Sequence, residues 1–212
     1  MTARTITCVL LLCISACGGA PERSSRVAPA KARLSPGPLR TAAALAHEFQ
    51  WQQRVTAHYP TGSSSFEAVL LHRDGALTLV GLSPMGLPGF VITLSADAKV
   101  EMDNRSGQSL PFEPSYILAD VQRVFFPWLQ TPAPGFNGLR SGALLGVQVT
   151  ETFDNGTLVR RAFLRDDAPE KGQVVIRYEG WSRGSDAPAR VVLDNEWFGY
   201  ELVIETVSQT RL

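Results

Sequence analysis

The side chains best suited to covalent or metal chemistry are one serine in a suggestive frame, three histidines and three cysteines. "GWSRG" at Gly180–Gly184 fits the G-x-S-x-G pattern. That pattern exposes a nucleophilic serine on a sharp strand-to-helix turn, with an acid and then a histidine later in the chain. Here the order is impossible, because His47, His58 and His72 all precede Ser182. The following "SDAPARVV" reads as a loop running into a strand, so Ser182 is expected in a β-turn and a hydrolase is the weakest reading. The histidines stand singly, without the spacing that puts two imidazoles on one metal, and no cysteine lies beyond position 17. The acids are scattered over polar faces and turns, and nothing selects a glycosidase-type pair. The expectation is a protein that is no enzyme and uses no metal or cofactor.

The thiols have another use. Cys8, Cys13 and Cys17 fall within ten residues at the N-terminus. Arg4 supplies positive charge, Ile6 to Ile14 is an almost unbroken apolar run, and Ser15 and Ala16 are small. These are the three parts of a secretory signal. The run is too short to span a bilayer, which takes about 20 residues. "ISAC" resembles the lipobox of bacterial lipoproteins. That resemblance implies loss of residues 1–16 and acylation of Cys17 by fatty chains such as palmitate, several of which make a stable anchor. Gly18 in place of an aspartate implies sorting to the outer membrane, facing the periplasm. The mature chain would have no second thiol for a disulfide, and its fold must rest on core packing.

Lys and Arg together number 20, as do Asp and Glu, so the net charge is zero and there is no basic stripe for nucleic acid. Residues 17–40 are rich in Pro, Ala, Ser and Arg without apolar period and read as a tether. From residue 41 the pattern is strand-like. Trp51, Gln53, Val55, Ala57 and Tyr59 alternate with Gln52, Arg54, Thr56 and His58; Phe198, Tyr200, Leu202 and Ile204 alternate with polar residues near the C-terminus. Further strands are expected over 66–72, 77–82, 90–94, 147–153, 158–164, 174–179 and 191–193, with turns at "DGA", "DNG" and "EKG". Two stretches read as helical. Residues 41–50 are Ala-rich. In "PSYILADVQRVFFPW", Ile117, Val121, Val124, Phe125 and Trp128 recur at helical spacing, Ser115 is placed to cap, Pro127 disturbs the end, and Asp120 and Arg123 are expected to face away. The loop "GLSPMGLPGF" carries Met85 and Leu87 among Gly and Pro, an apolar tip where turns are usually polar.

Three segments in this order, "GLSPMGLPGFVITLSADAKVEM", "ILADVQRVFFPW" and "NEWFGYELVIET", resemble an uncharacterised family of bacterial lipoproteins, a domain of unknown function related to the LolA and LolB lipoprotein-localisation proteins. The similarity runs from about Thr41 to Ser208. It departs at Phe125-Phe126-Pro127-Trp128, where the family often reads Trp-Pro. The resemblance implies an α+β, mainly β fold over residues 41–212: an incomplete antiparallel barrel covered by one to three helices, with an apolar interior that accepts acyl chains. Its expected lining is Trp51, Val55, Leu77, Leu79, Phe90, Ile92, Ile117, Val121, Phe125, Trp128, Leu202 and Ile204, with Met85 and Leu87 as a membrane-contact tip. The implied function is an outer-membrane lipoprotein that binds lipid or lipidated cargo, received from a periplasmic carrier protein. The alternative is a structural or assembly lipoprotein without lipid cargo.

Overall fold

The computed structural model describes residues 35–107, 113–165 and 172–212; the expected signal segment, Cys17 and most of the tether lie outside the described residues. The first run is β1 (Phe49–Tyr59), β2 (Gly62–Arg73), β3 (Ala76–Leu82), β4 (Pro88–Leu94) and β5 (Val100–Asn104). Helix α1 (Pro114–Phe125) interrupts it. The second run is β6 (Gly138–Leu144), β7 (Val147–Asp154), β8 (Thr157–Leu164), β9 (Gln173–Glu179), β10 (Arg190–Asn195) and β11 (Tyr200–Arg211). Strands β1 to β4 and β6 to β8 follow one another by short turns. All pairings are antiparallel, and the order is β5-β4-β3-β2-β1-β11-β10-β9-β8-β7-β6. Two meanders are thus welded at the middle by the first and last strands, with Val55 opposite Ile204 and Ala57 opposite Leu202. The connection through α1 joins the two outer edges, and among the described residues no ladder pairs β5 with β6. Among the described residues the fold is an open antiparallel sheet with one α-helix, as the resemblance implied.

The sheet must curl around that helix. α1 touches β5, and Arg161 of β8 donates to its last-turn carbonyls. Those strands stand eight steps apart in the sheet, roughly 38 Å if flat at about 4.8 Å per step. A helix of 12 residues is about 18 Å long and 10–12 Å wide. It reaches both only if the sheet wraps it. Two apolar clusters fill the wrap. One unites Phe49, Trp51, Leu70, Leu77, Ile92 and Leu118; the other unites Val124, Val149, Phe163, Ile176 and Leu193.

The helix is fastened through its last-turn carbonyls; Gln122 O already accepts from Phe126 N at 3.0 Å, and the carbonyls after it run short of intrahelical donors. Gln122 O accepts from Trp128 Nε1 (2.9 Å), Arg123 O from Arg161 Nη1 (2.6 Å), and Val124 O from both Arg161 Nη1 (3.1 Å) and Tyr178 Oη (2.9 Å). Arg161 is balanced by Glu151 at 2.8 Å, and both side chains are buried. Burial pushes the Tyr178 hydroxyl up to about 12, so it remains a neutral donor. On the other side, the Gln122 amide bonds both backbone groups of Arg40, at 2.9 and 2.7 Å.

Three expectations are corrected. Residues 41–50 form only a 3-10 turn, Ala42–Ala44, before β1 begins at Phe49; pairing of Phe49 with Arg211 and His72 outweighs alanine's helix preference. The helix starts with Pro114 at its first turn and Glu113 in the cap position, not with Ser115 as cap. Asp120 and Arg123 do not face away: both are buried, because β10, β11 and the segment before β1 enclose that side.

Arg161→Leu leaves Glu151 buried without its partner, Arg123 O without its side-chain donor and Val124 O with Tyr178 alone. A loss of about 3–5 kcal/mol is expected, against about 1 kcal/mol for Tyr178→Phe. Urea midpoints check both, and an Arg161→Leu loss below about 1 kcal/mol would show that the clamp is not what holds the helix.

Candidate functional site: the cavity beneath the helix

The inward row of β1 is Phe49, Trp51, Gln53, Val55, Ala57 and Tyr59. Its first two rings stack at 3.8 Å, and Phe125 of the helix meets Trp51 edge-on at 5.2 Å. That end is solid. From Gln53 onward the row faces a cavity of about 880 Å³, within the roughly 300–1,000 Å³ usual for small-molecule sites. Val55, Phe66, Leu79, Phe90, Leu202 and Ile204 form the walls, and Ile117, Val121 and Phe125 form the roof. The Phe90 ring lies directly over Gly81, where any Cβ would collide with it, and meets Phe66 edge-on at 5.9 Å.

Of the residues expected to line a cavity, Val55, Leu79, Phe90, Ile117, Val121, Phe125, Leu202 and Ile204 are brought together here. Trp51, Leu77, Ile92 and Trp128 are not among the lining. Trp51, Leu77 and Ile92 are buried in the solid end. Trp128 lies beyond the helix and packs edge-on against Phe163 at 4.7 Å. Inward orientation was legible for the strand residues, but where the layer closes depends on which side chains meet across the wrap.

At the other end the lining passes into the β3–β4 loop through Ser83, Pro84 and Gly86. The loop is compact: Ser83 N donates to Leu87 O and Gly86 N to Ser83 O, each at 2.8 Å. Gly86 turns it at φ +74°, a conformation other residues rarely adopt. Its tip points outward, with Met85 81% and Leu87 60% exposed. Two large apolar side chains therefore stand in solvent beside the cavity mouth.

The cavity also has polar wall residues that the sequence reading did not assign to it: Gln53, Tyr59, Asp120 and Tyr200. Gln53 carried a signal, an amide within an apolar row of period two. Asp120 accepts from Tyr200 Oη, from Arg123 Nη1 at 2.7 Å and from Asn195 Nδ2 at 3.3 Å. Arg123 continues to Pro36 O at 2.7 Å and lies 5.1 Å from the Trp197 ring centre. Burial pushes the Asp120 carboxyl above its ordinary range, against the lowering pull of Arg123, Tyr200 and Asn195.

The residues first considered for chemistry are placed elsewhere. Ser182 sits in a turn closed by Ser185 N donating to Ser182 O at 3.1 Å. His47 Nε2 lies 3.3 Å from Asp186, which also pairs with Arg211. His72 Nδ1 meets His47 O at 2.7 Å. Among the described residues no group of His, Cys, Asp or Glu could hold a metal ion, and no helix is long and apolar enough to cross a membrane.

The folded state holds the Asp120 proton more tightly than the unfolded chain does. The stability this group adds is therefore full below the ordinary aspartate value of about 3.9 and is lost as pH rises through the raised one. Urea midpoints of the wild type should fall relative to Asp120→Asn as pH rises from about 4. Parallel pH profiles would place the carboxyl in its ordinary range.

The structure is similar to that of a LolA superfamily protein from Nitrosomonas europaea, at 12% identity and a TM-score of 0.47, covering 81% of this chain and 94% of that one. It is also similar to a DUF1329 family protein from Desulfovibrio piger, at 10% identity and a TM-score of 0.46, covering 80% of this chain and 88% of that one. No curated protein matches the chain. The model of the family described as "Protein of unknown function (DUF3261)" matches residues 50–208, three quarters of the sequence, and the chain belongs to that family.

Proposed function

We propose that this protein is an outer-membrane lipoprotein, anchored through acylated Cys17, whose cavity binds acyl chains and hands them to the membrane. One observation carries the reading: an apolar cavity of about 880 Å³ whose mouth adjoins an exposed Met-Leu tip. An apolar hole of about 150 Å³ accepts a six-carbon benzene, roughly 25 Å³ per carbon. By that measure the cavity takes roughly 35 carbons, about two sixteen-carbon chains.

The energetics suit a carrier. Burying a methylene is worth about 0.8 kcal/mol, so a sixteen-carbon chain gains on the order of 10 kcal/mol in a dry cavity. Leaving a bilayer costs a similar amount, and exchange between the two runs near balance without nucleotide or bond-making. No catalytic group is required. The chain reaches the cavity as a free lipid or on an acylated protein delivered by a soluble periplasmic carrier, and the tip touches lipid while the chain passes.

Native mass spectrometry of the chain taken from cell membranes is expected to show bound acyl mass beyond that covalently attached at Cys17. Leu202→Trp, which fills the cavity from its wall, should abolish it at a stability change of about 1–3 kcal/mol. Clean protein in both cases would favour a structural lipoprotein whose partner is a protein. For the tip, the pair Met85→Glu and Leu87→Glu in a Cys17→Ser background should lower flotation with phospholipid vesicles at least about tenfold, because each loses its apolar burial. Equal flotation would remove the membrane-contact role.

A further inference from the structure

The cavity wall contains one polar group that the protein leaves unserved. Gln53 is 2% exposed and lines the cavity, and its Nε2 has no hydrogen-bond partner. An amide buried without a partner is destabilising by the cost of a lost hydrogen bond, so native structures rarely keep one without use. None of its neighbours serves it. Opposite Gln53 on β2 stands Ala68, which has no polar side chain, and on β11 stands Thr206. The Thr206 hydroxyl donates to Pro188 O at 2.8 Å and makes no bond to the amide. Of the other polar lining residues, Asp120 and Tyr200 are bonded to each other and Arg54 to Glu67. The site of the amide is also irregular, since the β1–β11 register shifts between Gln52 and Gln53.

Position narrows the ligand. Gln53 marks the inner end of the cavity, next to the Phe49–Trp51 stack and Phe125. Nothing bulky fits beyond it, so a group reaching the amide must be small and must terminate the ligand. The same wall offers hydrocarbon contacts from Val55 to Leu202 along the way to the mouth. A carboxylic acid meets these demands. Its carbonyl accepts from an amide N–H while its own O–H donates to the amide oxygen, a two-point match. Low-dielectric surroundings keep such an acid neutral. The nearby guanidinium of Arg54 is paired with Glu67 at 3.0 Å and does not call for an anion.

Resting on the reading of the cavity as a site for acyl chains, we propose that its occupant is a single-chain fatty acid, bound in neutral form with its carboxyl group inward on Gln53 and its chain running to the Met85 mouth. A chain linked to a protein or a glycerol backbone cannot place its carbonyl there, because the linked group would have to enter first. The cavity then selects free fatty acids over both esterified lipids and plain hydrocarbon.

The test uses the full chain carrying Cys17→Ser, so that no attached acyl group competes. Dodecanoic acid and dodecane are compared at about pH 5, where a carboxylic acid is partly neutral, by displacement of the fluorophore N-phenyl-1-naphthylamine. The wild type, Gln53→Leu and Gln53→Met are measured. The acid-to-alkane affinity ratio is expected to fall about tenfold in both variants, the size of one hydrogen bond, while dodecane binding holds. If both ligands bind and the ratio is unchanged, including the case of a water molecule serving the amide, the Gln53 assignment is overturned and the cavity reading stands. If neither ligand binds the wild type, the cavity reading itself fails. The infrared carbonyl band of bound carboxyl-labelled dodecanoic acid needs no variant: a band lowered from that of the dilute acid in hexane supports the assignment, and an unshifted band overturns it.

Discussion

Among the described residues, one helix has to fill the inside of a curled eleven-stranded sheet, and it cannot. Closed barrels of about eight strands are just filled by their own side chains, and wider ones leave space. Here the wrap is wider and open at β5 and β6, and α1, about 10 Å across, lies within it. On the side of β7–β10 the remaining volume is taken by Val149, Phe163, Ile176 and Leu193 against Val124. Near the start of β1 it is taken by Phe49, Trp51, Leu77 and Ile92. What is left over lies between Val55, Phe66, Phe90 and the helix. The cavity is thus a consequence of strand number and helix count, and its apolar lining follows from strand alternation.

The way the helix is held gives the two sides different characters. Toward β8–β11 it is bound by directional bonds: Arg161 and Tyr178 on its last carbonyls, and Tyr200 and Asn195 on Asp120. These groups are buried, and breaking any one leaves partners unpaired. Over the cavity the same helix presents Ile117, Val121 and Phe125. Apolar contacts of this kind are nondirectional and tolerate exchange of a side-chain neighbour for a hydrocarbon neighbour. Firm fixation on one flank and adaptable packing on the other suit a site that must fill and empty without unfolding.

Much of this architecture was legible in the residues. The alternation at Trp51–Tyr59 and Phe198–Ile204 marked the two central strands, and the helical spacing from Ile117 to Phe125 marked the roof. The edge strands were not read. β5 carries Glu101 and Asp103 and is exposed along most of its length, and β6 has two glycines and little buried surface. An edge strand has one ladder partner and a weak inward face, so it lacks the contrast that alternation depends on. Asp120 and Arg123 were misplaced because charge on a helix normally signals solvent; burial was made possible by Tyr200, Asn195 and Pro36 O, groups far away in sequence. The boundary between solid core and open cavity was beyond sequence reasoning for a similar cause. Trp51 and Val55 share one face of one strand, and only the approach of Phe125 separates filled from empty.

The most direct test of the central claim is the anomalous bromine signal from a crystal of the protein soaked with a brominated long-chain hydrocarbon. The account requires bromine density inside the wrap, between Val55, Phe66, Phe90 and Val121. Density confined to the outer surface, with those four side chains collapsed onto one another, would contradict it.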